Sequence, residues 1–312
     1  MYSMRSLKTY MDSLRKKGMY TCLLEAKKAV WPVWWTHSRA AIDQMQAERV
    51  SRYLWRRYGP LITAPLEEQS RTTPNKTIWI CWLQGRDHAP EIVQRCIASV
   101  EKYAPDYRIQ FLTAENLNDF VTLPEHIWRK YQSGTITFTH FSDILRTALL
   151  VQHGGIWMDA TVLLTGPLSE EIVTQPLFLF QKSPLSAMPH FSSSWFIVAD
   201  QGNPVMKRML ELLSAYWKKE KVLKDYFLFH LFLYLIMMHN EQANTLAKAM
   251  PYIPNGDAHK LSSVFFEAYS AETWRQIAER SAVHKLTWKF NHGEPIDKRG
   301  TNYDYILHYM HL

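Results

Sequence analysis

The stretch from Phe141 to Pro167, FSDILRTALLVQHGGIWMDATVLLTGP, constrains the fold more than any other part of the chain. Ile144, Leu145, Ala148, Leu149 and Val151 recur at the spacing of a helix with one buried face. Asp143 and Arg146 stand three apart, so a helix places them side by side. Gly154 and Gly155 can adopt positive φ and end that helix. Ile156, Trp157 and Met158 then read as a short buried strand, with Asp159 at its end. Open α/β sheets bind ligands beyond the carboxyl ends of their strands, so Asp159 is a site candidate. An acid that ends a buried strand has little packing purpose, and here function outranks structure.

The flanking segments fit a parallel sheet. Thr77 to Gly85 is an apolar run closed by glycine, as a central strand would be. Pro90 heads a helix with Ile92, Val93, Cys96, Ile97, Val100 and Tyr103 on one stripe, and Arg108 to Leu112 is a second strand. Short helices follow at about 114–120 and 124–132. The order β-α-β, helices, β-Asp suits right-handed crossovers. Further strands are expected at Val162–Leu164, Leu177–Phe180, Trp195–Ala199 and Val283–Lys289. Asn203-Pro204 caps a helix to about Trp217, Tyr226–Met238 is a buried helix, Asn255-Gly256 a turn and Ala271–Arg280 a helix. His230 and Asp225 read as a core histidine and a helix-start acid.

Charge is unevenly placed. Residues 1–75 hold 13 of the basic and 6 of the acidic residues, whereas 76–312 are balanced. A neutral body with a basic arm points away from nucleic acid and toward something more local. Within 1–58, Lys27, Lys28, Arg49, Arg52, Arg56 and Arg57 alternate with Trp31, Trp34, Trp35, Tyr53, Trp55 and Tyr58. That mixture suits a helix on an anionic membrane surface, or a helical appendage packed on the main domain with a basic face in water. Gly59 to Pro74, with three prolines, reads as a linker. The division is therefore 1–75, a basic helical extension and linker, and 76–312, the main domain. Three cysteines, widely spaced, argue for a reducing compartment, and the charged N-terminus shows no secretory pattern, so a cytoplasmic, soluble or peripheral protein is expected.

Usual motifs are missing. There is no G-x-G-x-x-G loop, no G-x-S-x-G elbow and no H-E-x-x-H pair. What remains is the helix with Ser142-Asp143 and Arg146, followed by Gly154-Gly155-Ile156-Trp157-Met158-Asp159. This combination resembles DXD-type glycosyltransferases, specifically capsular polysaccharide synthesis proteins and glycosyltransferase family 32. The likeness spans about Lys76 to Pro204.

The resemblance implies a GT-A fold, α/β and Rossmann-like, with a mostly parallel sheet flanked by helices and here a helical N-terminal extension. It implies a hexosyl transfer from a nucleotide sugar, UDP-sugar above others, with retention, to a polysaccharide or lipid-linked glycan in capsule or surface polysaccharide synthesis. Carried over, Trp82 stacks on the donor base with Gln84 beside it. Asp143 and Arg146 hold sugar hydroxyls and the phosphate side, and Asp159 is the first DXD acid. These three form the catalytic set. The second acid is replaced by Thr161. The departing diphosphate still needs positive charge. Either Mn²⁺ or Mg²⁺ sits on Asp159 with His284 and waters, or the cations Arg146, His284, Lys285 and Lys289 take its place; a weakly held metal is the expectation. The competing reading is a non-catalytic α/β scaffold whose basic arm binds membrane or nucleic acid. A nucleotidyltransferase would carry a glycine-rich N-terminal loop that this chain lacks.

Overall fold

The computed structural model describes residues 36–67, 75–185, 187, 189–290 and 297–312, with side chains from 43 onward. In chain order come α1 (Thr36–Thr63), β1 (Thr77–Cys81), α2 (Glu91–Tyr103), β2 (Arg108–Leu112), α3 (Leu117–Phe120), α4 (Glu125–Gln132) and α5 (Phe138–His153). Then follow β3 (Gly155–Asp159), β4 (Val162–Leu164), α6 (Glu170–Val173), β5 (Leu177–Gln181), β6 (Ser192–Ala199), α7 (Pro204–Lys219) and α8 (Leu228–His239). The chain continues with α9 (Glu241–Ala249), α10 (Asn255–Ser263), α11 (Ala271–Arg280), β7 (Val283–Lys285) and α12 (Asn302–Asp304).

Among the described residues five strands form the central sheet, in the order β2-β1-β3-β6-β5. β1 pairs parallel with β2 and β3, while β6 pairs antiparallel with β3 and β5. Only β6 of the five runs against the others. The result is the α/β fold with a mostly parallel sheet expected from the β-α-β order. Every residue of β1 is buried, which is why it reads as an unbroken apolar run. α5 packs against β3 and β6 of this sheet, and α2 against β4. β4 and β7 make a separate antiparallel ribbon beside α2.

The paired glycines explain how α5 hands over to β3. Gly154 caps the helix at φ 68° and Gly155 starts the strand at φ 98°. A Cβ on Gly154 would lie 2.5 Å from the Gln201 backbone nitrogen, and one on Gly155 would collide with the Thr77 carbonyl. Both positions thus need positive φ and a close backbone approach. α5 itself is buried along most of its length, with Ile144, Leu145, Ala148, Leu149 and Leu150 inaccessible. Val151, expected in that stripe, is only half-buried.

Several boundaries differ from the sequence expectation. β1 stops at Cys81, before a turn, and β7 at Lys285, where the chain becomes irregular. Asn255-Gly256 opens α10 instead of forming a turn, because Asn255 is held by Trp195 Nε1 at 3.2 Å. α1 continues through Gly59-Pro60 to Thr63, into the expected linker. The departing segment is then held by side chains of the body. Arg208 donates to the Ala64 and Pro65 carbonyls at 2.9 and 3.0 Å, and Asn240 donates to Ala64 at 2.9 Å.

For the described part of the basic arm, the packed alternative holds. Leu54, Tyr58 and Ile62 are buried against α7 and α8, while Arg49, Arg52, Arg56 and Arg57 lie on the exposed side. Trp55 rests on His239 with ring centroids 4.2 Å apart. Residues 1–35, including Lys27, Lys28, Trp31, Trp34 and Trp35, lie outside the described residues, as do 68–74 of the expected linker.

Candidate functional site

Strand register gathers the site on one edge. Cys81 of β1 pairs with Leu112 of β2 and with Asp159 of β3, and Gln181 of β5 pairs with Ser192 of β6. The carboxyl ends of four strands and the amino end of β6 therefore meet. Asp159 lies at that edge, with Trp82 and Lys182 one residue beyond their strands.

Asp159 is held on three sides. Trp157 Nε1 donates to its Oδ1 at 3.0 Å, a contact its position two residues earlier on the same strand face allows. Arg146 Nη2 lies 3.6 Å from Oδ1, and Lys285 Nζ lies 3.4 Å from Oδ2. The Asp159 side chain keeps 27% of its surface in water and the Lys285 side chain 20%. Together they form the open face of the cluster.

Asp143 and Arg146 lie beneath it, with side chains 9% and 5% exposed. The Arg146 guanidinium stacks 5.1 Å from the Trp157 ring centre and lies 3.2 Å from Asp143 Oδ1. It also donates to the Ser142 carbonyl, the Ser142 hydroxyl and the Ser194 carbonyl at 3.1, 2.9 and 2.6 Å. Burial by itself pushes the Asp143 carboxyl up, but Arg146 and His140, whose Nδ1 is 3.5 Å away, more than offset this and hold it below the usual carboxylate range. Such saturated, buried groups position Asp159; they have little surface left to offer a sugar. The structure thus unites the expected catalytic trio and gives its members different geometric roles.

The remaining candidates separate. Lys285 donates to Thr161 Oγ1 as well as facing Asp159. Its neighbour His284 faces away, as alternation along a strand demands. His284 is fully buried with Nε2 3.0 Å from Thr165 Oγ1, and burial pushes its pKa down to about 4. It does not reach Asp159. Lys289, beyond the end of β7, sits 4.8 Å over the Trp288 ring, and Trp288 meets Trp82 edge-on at 5.5 Å. Trp82 is half-buried, with an indole N–H that has no partner among the described residues, and Gln84 is exposed in the following turn. Cys81 cannot serve as a nucleophile at neutral pH, because burial pushes its thiol up to about 12.

A divalent ion, which the DXD resemblance implies, does not fit these residues. Mn²⁺ and Mg²⁺ at phosphate sites take one or two free protein carboxylates, with waters and phosphate oxygens completing the shell. Here Asp159 is taken up by Trp157, Arg146 and Lys285, Thr161 replaces the second acid, and His284 is out of reach. Among the described residues no group of three His, Cys, Asp or Glu converges on a metal position. A dication would also face two fixed cations.

Two groups at this edge, Tyr226 and Lys182, escape sequence reasoning, whereas His230 and Asp225 are the core histidine and helix-start acid expected. Tyr226 is exposed on the rim, and its phenol is pushed up by burial and then by the charges of Asp143 and Asp159. Lys182 follows β5, with Nζ 5.7 Å from the Phe227 ring centre. His230 on α8 is buried and pushed down to about 3, so it stays neutral beside Asp143, and Asp225 accepts the Phe227 N–H as a helix-start acid. Only Lys182 carried a usable signal, its place just past a strand end. A separate cavity of about 320 Å³ opens at the opposite edge, lined by Lys76, Asp106, Gly155 and Asp200, and shares no residue with Asp159.

A part-exposed acid at the end of a parallel strand, anchored by a buried arginine and flanked by a lysine and an indole, marks an α/β protein with a candidate site at its strand ends. The chain belongs to the capsular polysaccharide synthesis protein family, whose model matches residues 25–306. It is similar to the O-glycosyltransferase braB of Annulohypoxylon truncatum, 29% identical over 52% of this chain and 42% of that protein. It is also similar to the glycosyltransferase afumC of Aspergillus fumigatus, 24% identical over 46% of this chain and 40% of that one. The chain thus spans about two fifths of the length of these relatives. Among solved structures, the PaToxG glycosyltransferase aligns over 77% of this chain and 95% of its own, at 15% identity and a TM-score of 0.37.

Proposed function

We propose that this chain is a glycosyltransferase. It takes a hexose from a nucleotide sugar, a UDP-sugar, and passes it with retention to a polysaccharide or lipid-linked glycan in capsule or surface polysaccharide synthesis. One observation carries the reading: Asp159 stands half-open at the carboxyl end of β3, with Trp82 and Lys285 on its flanks. An indole suits a nucleobase, a carboxylate suits sugar or ribose hydroxyls, and an ammonium suits phosphate. Family membership and the names of the relatives support the same chemistry.

In this reading Asp159 binds the donor directly, and Asp143 and Arg146 fix its carboxylate. Gln84 lies in the turn beside Trp82 and contacts the base or ribose. As the glycosidic bond breaks, negative charge grows on the leaving diphosphate, and fixed positive charge nearby lowers that barrier. The acceptor enters past Tyr226. A screen of radiolabelled nucleotide sugars for slow hydrolysis without acceptor tests the assignment. One donor should turn over and Asp159→Asn should abolish it; no turnover with any donor would remove the proposal's support.

The enzyme works at a membrane surface, on the cytoplasmic side, through its basic N-terminal region. No described helix is long and apolar enough to cross a bilayer, and the exposed arginines of α1 suit anionic lipid. Flotation with anionic liposomes, comparing the full chain with one lacking residues 1–35, checks this; equal binding by both would assign it to α1 or to nothing.

A further inference from the structure

We propose that the Lys285 ammonium is a built-in cation for the donor's diphosphate, so that donor binding does not need a divalent metal. The inference rests on the glycosyltransferase reading and specifies how its site handles charge.

The placement is set by backbone register. β7 pairs antiparallel with β4 so that Lys285 lies opposite Val162, and Leu286 N–H donates to the Thr161 carbonyl at 2.9 Å. These bonds fix the root of the lysine beside residue 161. Its Nζ then reaches Asp159 Oδ2 at 3.4 Å and the Thr161 hydroxyl. The two side chains that bracket the ammonium are the first residue of the expected metal motif and the residue in place of its second acid. The neutral threonine hydroxyl accepts a hydrogen bond from the ammonium without placing a second negative charge beside an incoming phosphate.

The remaining capacity of the ammonium faces outward. It has three N–H groups. Asp159 and Thr161 take two, and among the described residues the remaining acceptor, the Leu286 carbonyl, is at 3.5 Å, the limit of a hydrogen bond. With a fifth of the side chain in water, a phosphate oxygen can become the third partner without displacing Asp159. Few other charges compete for that contact. His284 and His230 stay uncharged, and Arg146 is matched by Asp143 underneath. Lys182 adds a second positive group past the end of β5, within electrostatic reach of His230 and His259, and His259 in turn feels Lys285.

Calorimetric titration of the full chain with UDP and GDP, in EDTA and in MnCl₂, tests the proposal. At least one nucleotide should bind in EDTA with affinity within about threefold of that in Mn²⁺. Lys285→Met should weaken that binding at least tenfold in EDTA while keeping the melting temperature, and Lys285→Arg should restore most of it. The pair Thr161→Asp with Lys285→Ala should make binding depend on Mn²⁺. Binding by the wild type only with Mn²⁺ would overturn this inference and leave the glycosyltransferase reading intact. No binding of either nucleotide under either condition would overturn both.

Discussion

Arg146 Nη1 and Asp143 Oδ1 form a 3.2 Å ion pair almost wholly removed from water, one helical turn apart on α5. From this pair the same guanidinium extends to Asp159, so that a buried charge on a helix orients a half-exposed one on the neighbouring strand. Removing one partner of such a pair strands the other. Arg146→Met should therefore destabilise the protein by about 3–5 kcal/mol, while Asp143→Asn with Arg146→Met should cost less than the two single changes added. Urea unfolding of the four proteins of that cycle measures both; an additive double variant would show that the pair is not coupled.

Acid should weaken the fold well before its carboxylates titrate. Burial holds His284 at about 4 and His230 at about 3, against about 6.5 in an unfolded chain. Below pH 6.5 the unfolded chain takes up protons that the folded one refuses, so stability falls with pH until the folded values are reached. His284 alone contributes up to about 3 kcal/mol of loss between pH 6.5 and 4. Asp143, held below its ordinary value, adds to the loss at lower pH, as its carboxylate is protonated. Urea midpoints at pH 7.5, 6 and 4.5 should decline, and less steeply in His284→Gln. A flat profile between pH 6.5 and 4.5 would contradict the burial of both imidazoles.

Helix α1 should behave as part of the core. Leu54 and Ile62 are inaccessible to water, and Tyr58 meets Phe232 edge-on at 5.6 Å. Leu54→Ala should cost about 2–5 kcal/mol, whereas Arg52→Ala on the exposed face should stay within about 0.5 kcal/mol. Thermal denaturation distinguishes them. Equal, small effects would mean that α1 does not pack on α7 and α8.

Much of the site's scaffold was legible because local chemistry and tertiary demand agree. The stripe of α5, the two glycines and the apolar β3 each predict their own structure, and β2, β4 and α11 end where the pattern ends. The failures have physical causes. Gly59-Pro60 signals a break, but burial of Ile62 and the grip of Arg208 carry α1 through it. His284 and Lys285 look like equal partners in sequence; only strand alternation separates one that packs from one that reaches Asp159. The saturation of Arg146 by Ser142 and Ser194 was invisible, since Ser194 is brought in by β6 from 48 residues away. Tyr226 likewise joins the site through packing alone.

The most direct test of the central claim is thermal shift of the full chain against a panel of UDP- and GDP-sugars, in the wild type and in Asp159→Ala. At a hundredfold excess over its dissociation constant a ligand adds about 2.7 kcal/mol to stability, enough for a clear rise in melting temperature. The account predicts that rise for at least one nucleotide sugar in the wild type and its loss in Asp159→Ala. A wild type unmoved by every nucleotide sugar, or a variant that still responds in full, would contradict it.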